Sequence, residues 1–298
     1  MTISIAEALR QAAQVLRQSG VPEARREAGS LLVHVSGKNR TFLLSHAEAL
    51  LTAEEVEQYR QAVERRAAGE PLQYITGTQD FYGLEFMVTR DVLIPRPETE
   101  LLVESSLNLI GGQTVAPEIC DVGTGSGCIA ITLVHELSQA RAMAVDISEP
   151  ALRIAQRNAE RHGVHERITF RRSDCFEALP ANTVFDLIAS NPPYVSAKAL
   201  AGLQREVRDH EPAVALSPGL DGLSVIRRLL SDAPAFLKPQ GYLVLEIGFD
   251  QGEAVRRLVV EQTWNLLDMR ADLQGIPRIV LLQKTGSAGG PPATSTKK

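Results

Sequence analysis

Apolar residues recur at helical spacing along the first seventy positions. Ile5, Leu9, Ala12 and Leu16 fall on one helical face. Two four-residue signatures open such runs: Ser4-Ile-Ala-Glu7 and Thr52-Ala-Glu-Glu55 both match the S/T-x-x-E capping box. After the second, Val56, Tyr59 and Val63 keep the period, until Gly69 and Pro71 stop it. Gly20 and Pro22 punctuate an earlier start, where Pro22 suits the first helical position. Residues 1–72 are therefore expected to form a small helical bundle.

The period changes after Leu72. Tyr74-Ile-Thr-Gly77 and Leu84-Glu-Phe-Met-Val88 are β-like, and Tyr82-Gly83 between them signals a turn, so residues 73–95 predict a β-hairpin connector. In Leu93-Ile-Pro-Arg-Pro-Glu-Thr-Glu100 two prolines forbid a helix interior, but Pro97 suits the first turn of a helix running to about Ile110. From residue 117 strands and helices alternate. Strands are predicted at Ile119–Val122, Ala142–Val145, Ile168–Arg171, Phe185–Ala189 and Tyr242–Glu246, with helices at 127–138, 150–162 and 221–236. Such alternation means a parallel sheet covered on both faces. Two late strands, near 264–270 and 277–283, follow a helix at 251–261 and are close enough to pair antiparallel. The tail 285–298, rich in Gly, Pro, Ser and Thr with no apolar period, predicts disorder.

Composition narrows the class. A chain of 298 residues, 44% hydrophobic and 22% charged, holds one large and one small globular domain. No apolar run is long enough to span a bilayer, and the first residues lack a secretory pattern. Cys120, Cys128 and Cys175 show no metal or disulfide spacing, which fits a reducing cytoplasm. His162 and His165 read as surface residues rather than metal ligands, and no metal site is expected. The net charge of -5 counts against wrapping a long nucleic acid, although a local basic patch stays open.

Chemistry collects at predicted strand ends. Asp121-Val-Gly123-Thr124-Gly125-Ser126-Gly127 closes the first strand and opens a helix. Glycines there let backbone turn sharply and approach a ligand, and parallel sheets bind ligands at this edge. A dinucleotide fingerprint would need glycine at 128, where Cys128 stands, so a ligand without a pyrophosphate fits better. Asp146 ends the next strand, positioned to accept both hydroxyls of a ribose. Ser148 caps the following helix and Gly163 stops it. Asp174 and Cys175 follow the third strand, where an acid accepts from an adenine amino group beside apolar cover. A tight turn and ordinary loop acids are the alternatives for each motif alone. In this order the set is the footprint of an adenosine.

Ser190-Asn191-Pro192-Pro193-Tyr194 follows the fourth strand. The prolines lack N–H groups and stiffen the loop. The Asn191 side-chain oxygen and the Pro192 carbonyl can accept both hydrogens of an NH2 group. Tyr194 can cover that group and lie near a sulfonium. An amide nitrogen is a poor nucleophile, so catalysis here means orientation and stabilisation of developing charge. A plain surface turn is the alternative, since Asn-Pro is a common turn dipeptide.

These residues resemble the PrmC (HemK) family, the N5-glutamine methyltransferases of peptide-chain release factors. The resemblance covers nearly the whole chain. It includes the N-terminal bundle, Ile94-Pro-Arg-Pro-Glu-Thr-Glu100, the 121–127 loop, Ala144-Val-Asp146, Asn191-Pro-Pro-Tyr194, His210-Glu-Pro212 and Asp272-Leu-Gln-Gly-Ile-Pro-Arg278. It implies a class I S-adenosylmethionine methyltransferase fold, Rossmann-like, with a seven-stranded mostly parallel sheet over 96–284. It implies that Gly123, Thr124, Gly125, Ser126, Gly127 and Asp146 bind S-adenosylmethionine, with Asn191 near the methyl donor. Asn191, Pro192 and Tyr194, with Pro193, would hold the substrate glutamine of a Gly-Gly-Gln loop, and the bundle would help dock the release factor. Arg96, Thr99 and Glu100 fit either a pocket or a linker. Cys175 stands where some members carry a larger aromatic residue. A cytoplasmic monomer without a nucleic-acid substrate is expected. A ribosomal-protein glutamine methyltransferase is the first alternative, a nucleic-acid amine methyltransferase the second. A non-catalytic binding protein and an NAD-dependent dehydrogenase are more distant.

Overall fold

The computed structural model describes residues 2–112, 114–180 and 182–285. The tail expected to be disordered lies outside them, apart from Thr285, whose N–H donates to the Thr263 carbonyl at 3.0 Å. Four helices, α1 (Ile5–Gln18), α2 (Ala24–Ser36), α3 (Arg40–Ser45) and α4 (Ala53–Ala67), form the bundle. Thr52 and Glu55 make both arms of a capping box. At α1 only Ser4 caps, because the Glu7 carboxylate turns to Arg10 and Gln11 instead. The buried stripe of α1 is Ile5, Ala8, Ala12, Ala13 and Leu16; Leu9 lies at its margin. Pro22 precedes α2 by two residues rather than opening it.

The hairpin lies further along than its residue types suggested. Tyr74–Thr76 is not strand: it belongs to α5 (Leu72–Thr76), one turn set between Pro71 and a left-handed Gly77 at φ 80°. Burial overrides β-propensity here, since Tyr74 and Ile75 are both enclosed and the Tyr74 hydroxyl donates to the Val92 carbonyl at 2.6 Å. The strands are β1 (Thr78–Phe81) and β2 (Leu84–Met87), joined by Tyr82 and Gly83 at φ 50° and 75°. Two positive φ values are what a tight hairpin turn requires.

Helix α6 (Pro97–Ile110) runs as expected, with Pro97 in its first turn. The sheet elements follow in order: β3 (Glu118–Val122), α7 (Cys128–Glu136), β4 (Arg141–Asp146), α8 (Glu149–Arg161), β5 (Ile168–Arg172) and β6 (Phe185–Ser190). Three short helices not foreseen, α9 (Ala197–Leu200), α10 (Arg205–His210) and α11 (Ala213–Leu216), lead to α12 (Ser224–Phe236), β7 (Leu237–Glu246), α13 (Gly252–Leu258), β8 (Trp264–Ala271) and β9 (Pro277–Lys284). The seven strands lie in the order β5-β4-β3-β6-β7-β9-β8; the first five are parallel, and β9 inserts antiparallel between β7 and β8. The order reverses beside β3, so the ends of β3, β4 and β6 open one crevice. The β3 run is buried from Ile119 to Val122, as a strand covered on both faces must be.

Polar ties join the parts. Asn158 of α8, fully buried, donates to the carbonyls of Met87 and Ser126 at 3.0 and 2.9 Å and accepts from Met87 N–H at 2.7 Å. It thereby fixes the hairpin against the glycine loop. Arg66 of α4, 3% exposed, is paired with Glu27 in the bundle and with Glu206 of α10 at 2.6 Å. Glu70 pairs with Arg65 and Arg90 at 2.7 and 2.9 Å, and these cations hold its carboxyl down at about 2. Among the described residues no helix is long and apolar enough to cross a membrane.

Candidate active site

The glycine loop between β3 and α7 divides its work. Gly123 and Gly125 have φ of 76° and 54°, stand open, and line the crevice. A Cβ at Gly123 would meet no protein atom within 4 Å, so the backbone conformation, not crowding, demands glycine there. Gly127 is different: a Cβ there would strike Ile131 at 2.7 Å and Ala155 at 3.1 Å, so it lets α7 pack on α8. Thr124 and Ser126 are buried beneath the loop. Asp121 explains the loop's shape. Its Oδ2 accepts from the Thr124 hydroxyl at 2.6 Å and from Ala130 N–H at 3.1 Å. Full burial pushes its carboxyl up to about 7, and its Oδ1 is a buried acceptor with no partner among the described residues.

Asp146, at the end of β4, accepts from Gly125 N–H and Ser148 N–H, both at 2.9 Å, while burial raises its carboxyl above the ordinary value. Ser148 caps α8 as foreseen. Asp174 lies at the same crevice, but its carboxylate takes a hydrogen bond from Arg228 at 2.8 Å. Cys175 is buried beside it at φ 48°. The crevice therefore gathers Gly123, Gly125, Asp146, Asp174, Cys175, Asn191, Pro192 and Pro193, while Thr124, Ser126 and Gly127 stand behind its wall. His162 Nε2 donates to the Glu85 carbonyl at 3.0 Å, and its ring packs on Phe86.

A second cavity, of about 470 Å³, opens on the other side of the β6 loop, lined by Arg96, Glu98, Tyr194, Glu246 and Arg278 among others. Asn191 and Pro192 stand in the walls of both cavities. The loop is held at several points. Ser190 donates to the Val122 carbonyl at 2.7 Å, and Gln251 donates to the carbonyls of Tyr194 and Gly222 at 3.0 and 3.2 Å. Gly222 must be glycine, because a Cβ would collide with the Tyr194 carbonyl. Asn191 Nδ2 donates to Thr99 Oγ1 at 3.1 Å, and Thr99 Oγ1 donates to Glu246 Oε2 at 2.6 Å. The Tyr194 hydroxyl donates to Glu246 Oε1 at 3.4 Å, and burial holds that phenol well above its usual range and so neutral.

The 94–100 segment splits between pocket and linker. Arg96 lines the second cavity and pairs with buried Glu211 at 2.6 Å, which joins it to His210-Glu-Pro212. Thr99 reaches Asn191. Glu100 instead accepts from Tyr82 N–H at 2.8 Å and secures the hairpin turn. Glu246, Gln251 and Arg278 were not foreseen as site residues. The one visible signal was an acid closing the apolar run Tyr242-Leu-Val-Leu-Glu246 at a strand's carboxyl end. A further hollow at Gln240, Trp264 and Lys284 lies at the opposite end of β7 and holds none of these motifs.

A strand-end glycine loop, a following acid and an Asn-Pro-Pro-Tyr loop on this sheet define a class I methyltransferase. The fold is shared with a methyltransferase structure from Pyrococcus furiosus (TM-score 0.50, 17% identity, covering 76% of this chain and 98% of that one). Two family profiles match, the PrmC N-terminal domain at residues 7–77 and the methyltransferase small domain at 98–208. Proteins named release factor glutamine methyltransferase align over most of the chain. That of Koribacter versatilis is 41% identical over 96% of this chain and 100% of its own length, and that of Geobacter sulfurreducens is 43% identical over 89% and 91%. The chain belongs to the release factor glutamine methyltransferase family.

Proposed function

We propose that this enzyme transfers a methyl group from S-adenosylmethionine to the side-chain amide nitrogen of the glutamine in the Gly-Gly-Gln segment of peptide-chain release factors. One observation carries the reading: Asn191 and Pro192 form a wall shared by two cavities, one edged by the glycine loop and Asp146, the other by Tyr194 and buried charge. A shared wall is what a transfer between two bound molecules needs. The fit to the cofactor rests on the open, left-handed Gly123 and Gly125 and on the half-buried Asp146 carboxylate beside them. Gly123 and Gly125 would admit the nucleoside, Asp146 would accept its ribose hydroxyls, and Asp174 with Cys175 would border the base. On this reading residues 96–284 carry the chemistry, the bundle of residues 1–72 helps seat the protein substrate, and one chain acting in the cytoplasm suffices.

The cofactor, when bound, supplies a methyl group on a positively charged sulfur. Everything else falls to the chain. The Asn191 Oδ1 and the Pro192 carbonyl accept the two amide hydrogens and hold the nitrogen in line, and they stabilise the positive charge that grows on those N–H bonds. The neutral Tyr194 ring covers the planar amide. No strong base is required, because the methylated nitrogen is acidic and releases its proton to solvent. The test is transfer of labelled methyl to a release factor, to one whose Gly-Gly-Gln glutamine is replaced by alanine, to ribosomal protein and to naked nucleic acid. Label on the first alone supports the proposal; label only on ribosomal protein or nucleic acid overturns it.

A further inference from the structure

The Asn191 amide has two faces, and only one of them serves the reaction. An oxygen turned to the substrate accepts an N–H that becomes more positive; an NH2 turned to it would repel the same charge. In the structure Nδ2 faces Thr99, which leaves Oδ1 for the cavities. The cause is one hydroxyl hydrogen. Thr99 and Glu246 are each 2% exposed, so water does not substitute for either partner. An ionised Glu246 only accepts, so Thr99 must give it its hydrogen, and the Thr99 lone pairs then accept from Asn191 Nδ2. A protonated Glu246 would donate to Thr99 instead. The Thr99 hydrogen would then turn to Asn191 and select the opposite amide face.

We propose that Glu246 and Thr99 are positioning residues whose relay sets which face of the Asn191 amide meets the substrate, so that catalysis requires ionised Glu246. The proposal rests on the methyl-transfer reading above. The groups facing Glu246 come from every neighbouring element. Thr99 and Glu98 lie on α6, Arg278 on β9, Tyr194 on the β6 loop, and Cys128, a thiol pushed up to about 12, opens α7. Burial is the largest influence on the Glu246 carboxyl, opposed by the Thr99 hydrogen bond, raised further by Glu98 and lowered by Arg278 and Tyr194; the balance is about 7. The two amide states would therefore exchange near neutrality.

The experiment compares wild type with Thr99→Val, Thr99→Ser and Glu246→Gln between pH 5.5 and 9. Turnover on the release factor, S-adenosylhomocysteine affinity and the side-chain 15N signal of Asn191, assigned with Asn191→Ala, are each followed. Wild type is expected to lose turnover as pH falls through about 7, with the Asn191 signal shifting over the same range. Thr99→Val should lower kcat roughly 10–100-fold while KM and S-adenosylhomocysteine affinity stay within about threefold, with both pH dependences gone. Thr99→Ser, which restores the hydroxyl, should regain rate and acid limb, and Glu246→Gln should be slow and flat with pH. A Thr99→Val enzyme with wild-type kcat and an unchanged acid limb would overturn the relay, as would variants that lose cofactor affinity along with rate. The amide signal needs no methyl acceptor, so a missing substrate refutes only the functional reading, whereas an Asn191 signal indifferent to pH refutes only the relay.

Discussion

On the glycine-loop side of Asn191 the crevice combines bare backbone with the Asp146, Asp174 and Cys175 side chains, and on the Tyr194 side the cavity is framed by paired buried side chains. Gly123 and Gly125 face the first cavity as bare backbone in left-handed conformations, fixed by N–H groups that bind Asp146 and the Val145 carbonyl. The second is framed by Arg96 with Glu211, Thr99 with Glu246, and Gln251 with Tyr194 and Gly222. Each side also encloses one carboxylate raised to about 7, Asp121 at the end of β3 and Glu246 at the end of β7. They differ in what they hold. Asp121 shapes a loop and keeps one oxygen without a partner among the described residues, whereas both Glu246 oxygens are engaged, by Thr99, which holds Asn191, and by Tyr194.

The largest effect should separate the two sides at their shared wall. Asn191→Ala removes the amide acceptor but leaves the glycine loop and Asp146 intact. We expect turnover to fall about 100–1000-fold, the scale of a lost transition-state hydrogen bond, while S-adenosylhomocysteine affinity stays within roughly tenfold. Steady-state rates with calorimetric titration check both. An undiminished rate would mean the wall only separates the cavities.

Next in size is a division inside the glycine loop. Gly127→Ala adds left-handed strain at φ 84° to a collision with Ile131 and Ala155, and should cost about 3 kcal/mol of stability. Gly125→Ala, at φ 54° with no atom closer than 4.0 Å, should cost about 1 kcal/mol yet weaken cofactor binding about tenfold or more. Urea unfolding and calorimetry distinguish them; equal losses in both would erase the distinction between packing and lining glycines.

That division also shows what sequence could reveal. The gathering of the loop, the strand-end acids and the Asn191 turn at one crevice was legible because each motif is a run of consecutive residues at a place the alternation of strand and helix defines. Spacing alone did not separate Gly127 from Gly125, since packing on Ala155 of α8 is a tertiary fact. Glu246 was harder still: its partners Thr99 and Tyr194 lie 147 and 52 positions away in the chain, and a single acid after an apolar run carries no spacing of its own. The 74–77 error has the same origin, because aromatic and β-branched residues favour a strand only when no buried site claims them as a helical turn.

Asp121 makes a smaller, pH-dependent prediction. Asp121 binds its proton more tightly folded, at about 7, than unfolded, near 3.8. Between those values the native state holds the extra proton, so the stabilisation is complete at low pH and is lost as pH rises through about 7. Asp121→Asn retains an acceptor for Thr124 and Ala130 and abolishes that loss. Relative to wild type it should gain on the order of 2 kcal/mol more at pH 8 than at pH 5. Thermal unfolding at the two values checks it; a pH-independent difference would show that Asp121 is charged in both states.

The smallest effect belongs to the residue of the 94–100 segment that faces away from both cavities. Glu100 accepts one hydrogen bond, from Tyr82 N–H at 2.8 Å in the hairpin turn. Glu100→Ala therefore forfeits about 1 kcal/mol of stability and leaves kcat unchanged, since Thr99 one position earlier keeps its bonds to Glu246 and Asn191. Glu100→Gln, which still offers an oxygen, should fall within about 0.5 kcal/mol of wild type, as ordinary conservative changes do. If Glu100→Ala slowed turnover as much as Thr99→Val, the hairpin would have to be coupled to the catalytic loop through α6, and the boundary between scaffold and site would move outward by one helical turn.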